Sequence, residues 1–299
     1  GGGRGKTENL YFELIISRDV KAVSASYASV ILKTDGSVWG TGYNSQGALG
    51  DTTNEDKYTF VEVLPSNGVK AKAVATCAHY TMVVKEDGSL WATGLNAPFN
   101  RFGPHASTNE FVKVMSSDVK TVALGVYHSL VLKEDGSVWG TGDNTYGQLG
   151  DGSTTSKTSM QQLTNPVIEK AMGGAVAIAA GMSHSLVLGH DGSVWASGKN
   201  DDGQLGDGTL ISKKVFVQVI SSGVQAVAAG GWHSMVIHEN GDVWSTGAND
   251  YGQLGDGLQV NRKSFGRVQL QKSDGASSMV LLVSKICILS GSLCYCIFS

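Results

Sequence analysis

Short runs of alternating apolar and polar residues recur along the chain, separated by polar, glycine-rich stretches. His128-Ser-Leu-Val-Leu-Lys133 and His184-Ser-Leu-Val-Leu188 are two of them. After an Asp-Gly or Asn-Gly pair, each is followed by a second β-rich run ending in a tryptophan and a glycine. Two such runs joined through residues that accept positive φ predict a β-hairpin. Upstream lie runs of small residues, Val122-Ala-Leu-Gly125, Val176-Ala-Ile-Ala-Ala-Gly181 and Val227-Ala-Ala-Gly230. Downstream, Phe60-Val-Glu-Val63, Phe111-Val-Lys-Val114 and Phe216-Val-Gln-Val219 supply a fourth strand.

The unit repeats. Its hairpin phrase reads Asp35-Gly-Ser-Val-Trp39, Asp87-Gly-Ser-Leu-Trp91, Asp135-Gly-Ser-Val-Trp139, Asp191-Gly-Ser-Val-Trp195 and Asn240-Gly-Asp-Val-Trp244. The tryptophans are 52, 48, 56 and 49 residues apart. Four strands in roughly 50 residues are one propeller blade, and the small-residue strand suits the crowded position near the axis. The expected fold is therefore an all-β propeller of four-stranded blades.

A second phrase recurs between hairpin and fourth strand: Asn144-Thr-Tyr-Gly-Gln-Leu-Gly-Asp-Gly152, matched from Asn200 to Gly208 and from Asn249 to Gly257, with Asn44 to Asp51 a variant. It reads as a packed loop whose leucine plugs the core. Together these phrases resemble the RCC1 (regulator of chromosome condensation) repeat family over roughly residues 14–270. They lack the Gly-His and Trp-Asp pairs of WD40 blades and the Gly-Gly doublet of kelch blades. The resemblance implies a seven-bladed propeller. This chain supplies five clear repeats, so an incomplete ring is expected. Residues 1–13 read as a flexible segment. Residues 271–299 read as a degenerate sixth repeat, with Ser290-Gly-Ser-Leu-Cys294 one period after the fifth, or as an aberrant apolar tail.

Composition narrows the function. Glycine is abundant (40 residues against 4 proline), as many tight turns require. A formal net charge of −3 leaves no basic excess for nucleic acid. Three of the four cysteines, Cys287, Cys294 and Cys296, crowd into the apolar end, in no spacing that makes a zinc site or disulfide framework. Lys285 and several serines interrupt that end and argue against a membrane anchor. The start, Gly1 to Thr7, resembles a phosphate-binding loop, but no strand and too few residues precede its Gly-Lys-Thr. It shows no secretory signal, which favours a cytoplasmic protein.

Three sets of residues could carry function. His128, His184 and His233 share one repeat position, with His79 one residue out of register; a structural hydrogen bond is expected of them rather than a metal ring. Trp39, Trp91, Trp139, Trp195 and Trp244 are expected to pack between blades. The acidic loops, such as Asn200 to Asp207, lack the spacing of a calcium loop and read as Asx turns. The second repeat departs from the pattern, replacing its Gly-Gln-Leu-Gly with Asn96-Ala-Pro-Phe-Asn-Arg-Phe-Gly-Pro-His105. Phe99, Arg101, Phe102 and His105 are residue types found in interface hot spots, so this loop is either a re-packed repeat or a partner contact.

No catalytic constellation and no cofactor site emerge. The expected function is a non-catalytic scaffold for a protein partner, presented by the variable segments Thr52–Thr59, Ala97–Asn109, Ser153–Met160, Thr209–Val215 and Leu258–Phe265. The family resemblance implies two alternatives. One is guanine-nucleotide exchange on a Ran-like small GTPase, as in its founding member, although no exchange loop matches residue by residue. The other is a propeller-type protein inhibitor. The family also includes a plant ultraviolet photoreceptor built on Gly-Trp-Arg-His-Thr phrases, which only Gly231-Trp232-His233-Ser234 approaches.

Overall fold

The hairpin phrase folds through its first and third residues. Ser37 donates through N and Oγ to Asp35 Oδ1 (2.9 and 2.7 Å), and the Trp39 indole N–H donates to Ser37 Oγ (3.0 Å). Gly36 between them takes φ +87°, a value that costs glycine nothing. Asp87–Ser89–Trp91 and Asp135–Ser137–Trp139 repeat this relay. In the fifth turn Asn240 replaces the aspartate and accepts from Asp242 N, while Asp242 binds Arg267 at 2.7 Å.

In the computed structural model, which describes residues 19–66, 68–163 and 173–268, these hairpins sit at the centre of five antiparallel four-stranded sheets. There is no helix among the described residues. Blade 1 comprises β1 (Val20–Ala25), β2 (Ala28–Lys33), β3 (Val38–Gly42) and β4 (Lys57–Leu64). Blade 2 has β5 (Ala71–Cys77), β6 (Tyr80–Lys85), β7 (Leu90–Gly94) and β8 (Thr108–Met115). Blade 3 has β9 (Val119–Leu124), β10 (His128–Lys133), β11 (Val138–Gly142) and β12 (Lys157–Gln162). Blade 4 has β13 (Ala175–Ala180), β14 (His184–Gly189), β15 (Val194–Gly198) and β16 (Lys213–Ile220). Blade 5 has β17 (Val224–Ala229), β18 (His233–His238), β19 (Val243–Gly247) and β20 (Arg262–Arg267).

The small-residue strands β1, β5, β9, β13 and β17 are innermost: each touches the corresponding strand of a neighbouring blade. No comparable contact joins β17 to β1 among the described residues. The segments read as a flexible start and as a degenerate sixth repeat or tail lie outside the described residues. The described residues form five blades, against the seven that the resemblance implies.

The core lies between blades. Met82, Leu90, Phe102 and Val131 belong to one cluster shared by blades 2 and 3, and equivalent clusters join blades 1–2, 3–4 and 4–5. Trp139, Trp195 and Trp244, half-buried, pack against the cluster on the side of the preceding blade. Lysines cover the outer faces of three rings, with Lys33, Lys85 and Lys133 Nζ 5.5, 4.3 and 4.4 Å from the centroids of Trp39, Trp91 and Trp139.

The loop phrase is organised by its buried asparagine. Asn144 Oδ1 accepts from Leu149 N (2.9 Å), while Nδ2 donates to Asp151 Oδ1 (3.0 Å) and the carbonyls of Ser153 and Thr155 (3.1 and 3.3 Å). Asn44, Asn200 and Asn249 take the same part. Leu49, Leu149, Leu205 and Leu254 are fully buried beneath these loops.

Candidate interaction surface

Antiparallel order puts the turn between the first and second strands of every blade at the same end of the propeller as the long loop between the third and fourth. The hairpins occupy the opposite end. At the loop end, the residue just before the second strand is Tyr27, His79, Tyr127, Ser183 and Trp232 in blades 1 to 5. Four of the five are aromatic rings. Tyr27 is 53% and Trp232 45% exposed, and His79 and Tyr127 are half-buried.

The backbone fixes these positions. The carbonyls of Tyr27, His79, Tyr127, Ser183 and Trp232 each accept from an N–H just past the third strand, at 2.8–3.1 Å. Gly42, Gly94, Gly142, Gly198 and Gly247 make room for this, since a Cβ there would stand 2.3–2.7 Å from the same carbonyls. The rings then meet across blades. Tyr27, Tyr43 and His79 form an edge-on triad with centroids 6.1–6.3 Å apart. Phe99 of blade 2 lies 5.0 Å from Tyr127 of blade 3, and Lys199 of blade 4 stands 5.2 Å over Tyr146 of blade 3. Exposed aromatic rings beside cations on a rigid face are the side chains that protein interfaces favour.

The divergent loop of blade 2 divides between inside and outside. Phe102 is fully buried, and its N–H donates to Asn96 Oδ1 (3.0 Å), so it fills the place of the missing leucine. Arg101 is also buried: Nε donates to Val126 O (2.9 Å), and Nη1 reaches the carbonyls of Ala97, Asn96 and Leu95 (3.0–3.4 Å). Ser129 Oγ donates to the Arg101 carbonyl. Burial lowers the Arg101 pKa, and Tyr80 opposes that. Arg101 and Phe102 thus join blade 2 to blade 3, whereas Phe99 and His105 are half-buried. His105 stacks on Phe102, with centroids 6.4 Å apart.

The repeated histidines point inward. His128 Nε2 lies 2.9 Å from Ser185 Oγ of the next blade, and Ser185 donates its hydroxyl proton to Gln148 O (2.7 Å). His184, Ser234 and Gln204 repeat the arrangement one blade on, at 2.9 and 2.7 Å. With the serine proton committed, Nε2 must be the protonated nitrogen, and Nδ1 in both rings is a buried acceptor with no partner in the structure. Burial lowers the His128 pKa to about 4, against a weaker effect of Asp143, and that of His184 to about 3. Burial also lowers that of His233. In blade 2 the position belongs to Tyr80, whose hydroxyl reaches Gly125 O, His128 O and Ser129 Oγ at 2.8–3.0 Å. His79, one residue earlier, belongs to the aromatic end. Among the described residues no group of three His, Cys, Asp or Glu side chains is placed to hold a metal ion.

Comparison with known proteins agrees with this geometry. The family model described as the RCC1-like domain matches residues 6–292. The ultraviolet-B receptor UVR8 of Arabidopsis thaliana is 28% identical over 232 residues, covering 73% of this chain and 50% of that protein. The E3 ubiquitin-protein ligase HERC2 of Homo sapiens is 27% identical over 195 residues, 64% of this chain and 4% of that protein. The chain thus spans half the length of the first relative and a small fraction of the second. Among solved structures, human WBSCR16 superposes with a TM-score of 0.74 at 20% identity, covering 84% of this chain and 67% of that one. Prp20p of Saccharomyces cerevisiae superposes with a TM-score of 0.57 at 19% identity, covering 84% and 77%. At these identities the likeness is one of fold.

Proposed function

Since the chain belongs to the RCC1-like domain family, we propose that it is a non-catalytic propeller that binds a protein partner through its loop end. The carrying observation is the row of Tyr27, His79, Tyr127 and Trp232, equivalent positions of different blades presented at one end beside the variable loops. Blades tied by buried hydrogen bonds make that end rigid, so little order has to be imposed when a partner docks.

Prp20p, studied together with its binding to Gsp1p and histones, supports a second reading, nucleotide exchange on a Ran-like small GTPase. An exchange factor needs no catalytic side-chain pair, only a surface that wedges a nucleotide site open. Release of a fluorescent GDP from a Ran-like GTPase, followed with the full chain at low molar ratio, separates the two. Acceleration sensitive to Tyr27→Ala and Trp232→Ala replaces the scaffold with an exchange factor. A rate equal to the intrinsic one, together with a partner set in proximity labelling that disappears in the same double variant, supports the scaffold. A partner set unchanged by the double variant moves the binding surface elsewhere.

A further inference from the structure

Arg101 carries a buried charge without a counter-ion. Its side chain is 3% exposed, and none of the ion pairs among the described residues includes it. The titratable groups that act on it are Tyr80, Cys77 and Tyr127, none of them a carboxylate. Burying an unopposed charge is costly, and removal of its partners more so. A guanidinium has five N–H donors. Nε and Nη1 direct theirs to the carbonyls of Val126, Leu95, Asn96 and Ala97. Nη2 makes no hydrogen bond, yet unlike His79 Nδ1 it is not enclosed by protein.

The fold sets this donor at the loop end. Val126 lies in the turn between β9 and β10, and Leu95 to Ala97 follow β7, so the guanidinium sits between blades 2 and 3. The Phe99 ring lies 5.1 Å from Cζ, and Tyr127 is 5.0 Å from Phe99; both rings are half-buried. Burial, and then the Arg101 cation, hold the His79 imidazole below its ordinary pKa, so it adds no second charge at neutral pH. The strands next to residues outside the description end at Val20, Leu64, Gln162 and Arg267. Each of these pairs beside a hairpin turn, at the opposite end of the propeller. Arg101 has described blades on both sides, so its free donor does not arise from where the described segments stop.

We propose that Arg101 Nη2 receives a single carboxylate, the side chain of an Asp or Glu that the partner protein presents at the loop end. The source of the carboxylate, though not the site, rests on the protein-binding function proposed above. One cation matches one negative charge. A phosphate dianion needs a second cation, and none stands among the groups that act on Arg101. The Nη2 protons give the carboxylate charge-assisted hydrogen bonds, and the rings of Phe99 and Tyr127 beside them favour an acidic residue with apolar neighbours over a run of acids.

NMR titration of the full chain tests this, read from the Arg101 Nε–Hε resonance and the Tyr127 amide. The probes are phenylacetate, its neutral counterpart phenylacetamide, and phenylphosphonate. The expected result is a saturable shift of both signals with phenylacetate, and an apparent Kd at least about tenfold higher for the other two probes. Arg101→Lys keeps the charge and loses the planar fork, and should weaken phenylacetate binding at Tyr127 by a similar factor. Should that variant lose its cooperative melt, the three probes on the wild-type chain carry the test alone. A null titration overturns the proposal, whether the site is empty or already holds a carboxylate of the chain's own residues 1–18 or 269–299. So does phenylacetamide or phenylphosphonate binding as tightly as phenylacetate. The titration needs no partner, so the two readings fail separately. A null titration beside a partner set that disappears in the Tyr27→Ala, Trp232→Ala double variant removes the carboxylate site alone. A saturable shift beside a partner set that the double variant leaves unchanged removes the protein partner and gives the site to a small free carboxylate.

Discussion

His128 and Ser185, on different blades, are joined by a 2.9 Å bond between Nε2 and Oγ, and the serine passes its own proton to the carbonyl of Gln148. Three segments from two blades thus meet at one hydroxyl. Ser185→Ala deletes both bonds, leaving a buried imidazole N–H without a partner and the Gln148 carbonyl with Ser197 Oγ alone (3.2 Å), a cost of about 1–3 kcal/mol for the unpaired group. Ser185→Ala and Ser234→Ala should each lower the thermal midpoint by several degrees, read by differential scanning calorimetry. Either variant melting with wild type would mean that this joint contributes nothing.

Stability should fall with mild acid before the carboxylates titrate. An unfolded imidazole ionises near 6.5, whereas burial holds His128 to about 4 and His184 to about 3. Between those values the unfolded chain binds protons that the folded chain does not, so stability is full above pH 6.5 and declines as pH drops through the window. The decline is on the order of 1.4 kcal/mol per pH unit per histidine. Midpoints measured from pH 8 to pH 4.5 should be flat above about 7 and fall below 6.5. His184→Gln should shallow that slope, and an equal slope in the variant would assign it to other groups.

Asn144 makes its bonds while fully buried. Asn144→Ala strands Leu149 N and two loop carbonyls, so a loss of about 2–4 kcal/mol is expected, against near-neutrality for the exposed Thr155→Ala. Denaturant unfolding of both variants measures the difference.

Arg101 and Phe99 should behave oppositely although two residues apart. Arg101→Ala removes the donors to four carbonyls at the blade 2–3 joint, and a stability loss of about 2–4 kcal/mol is expected. Phe99→Ala trims a half-buried ring and should cost about 1 kcal/mol or less. Its effect is expected on partner binding, measured with the partner that proximity labelling identifies.

The blades were legible because each is written locally. Asp35-Gly-Ser and its repeats specify a turn within three residues, and Leu149 announces its burial by standing alone among polar neighbours. The inter-blade roles were not. Tyr80 takes the histidine's place because β6 starts there, and His79, one residue out of register, falls in the turn before it. Arg101 looked like an interface residue because nothing local reveals that Val126, in the next blade, supplies a carbonyl. The row of Tyr27, His79, Tyr127 and Trp232 was missed for a similar reason: its chemistry varies from blade to blade, and only the position before the second strand is shared.

The most direct test of the loop end as the binding surface is photo-crosslinking in the native cell, with p-benzoylphenylalanine placed at Trp232 and, separately, at Glu239, which belong to opposite ends of blade 5. The account predicts a discrete protein adduct from position 232 and none from 239. An adduct from position 239 alone, or equal adducts from both, would contradict it.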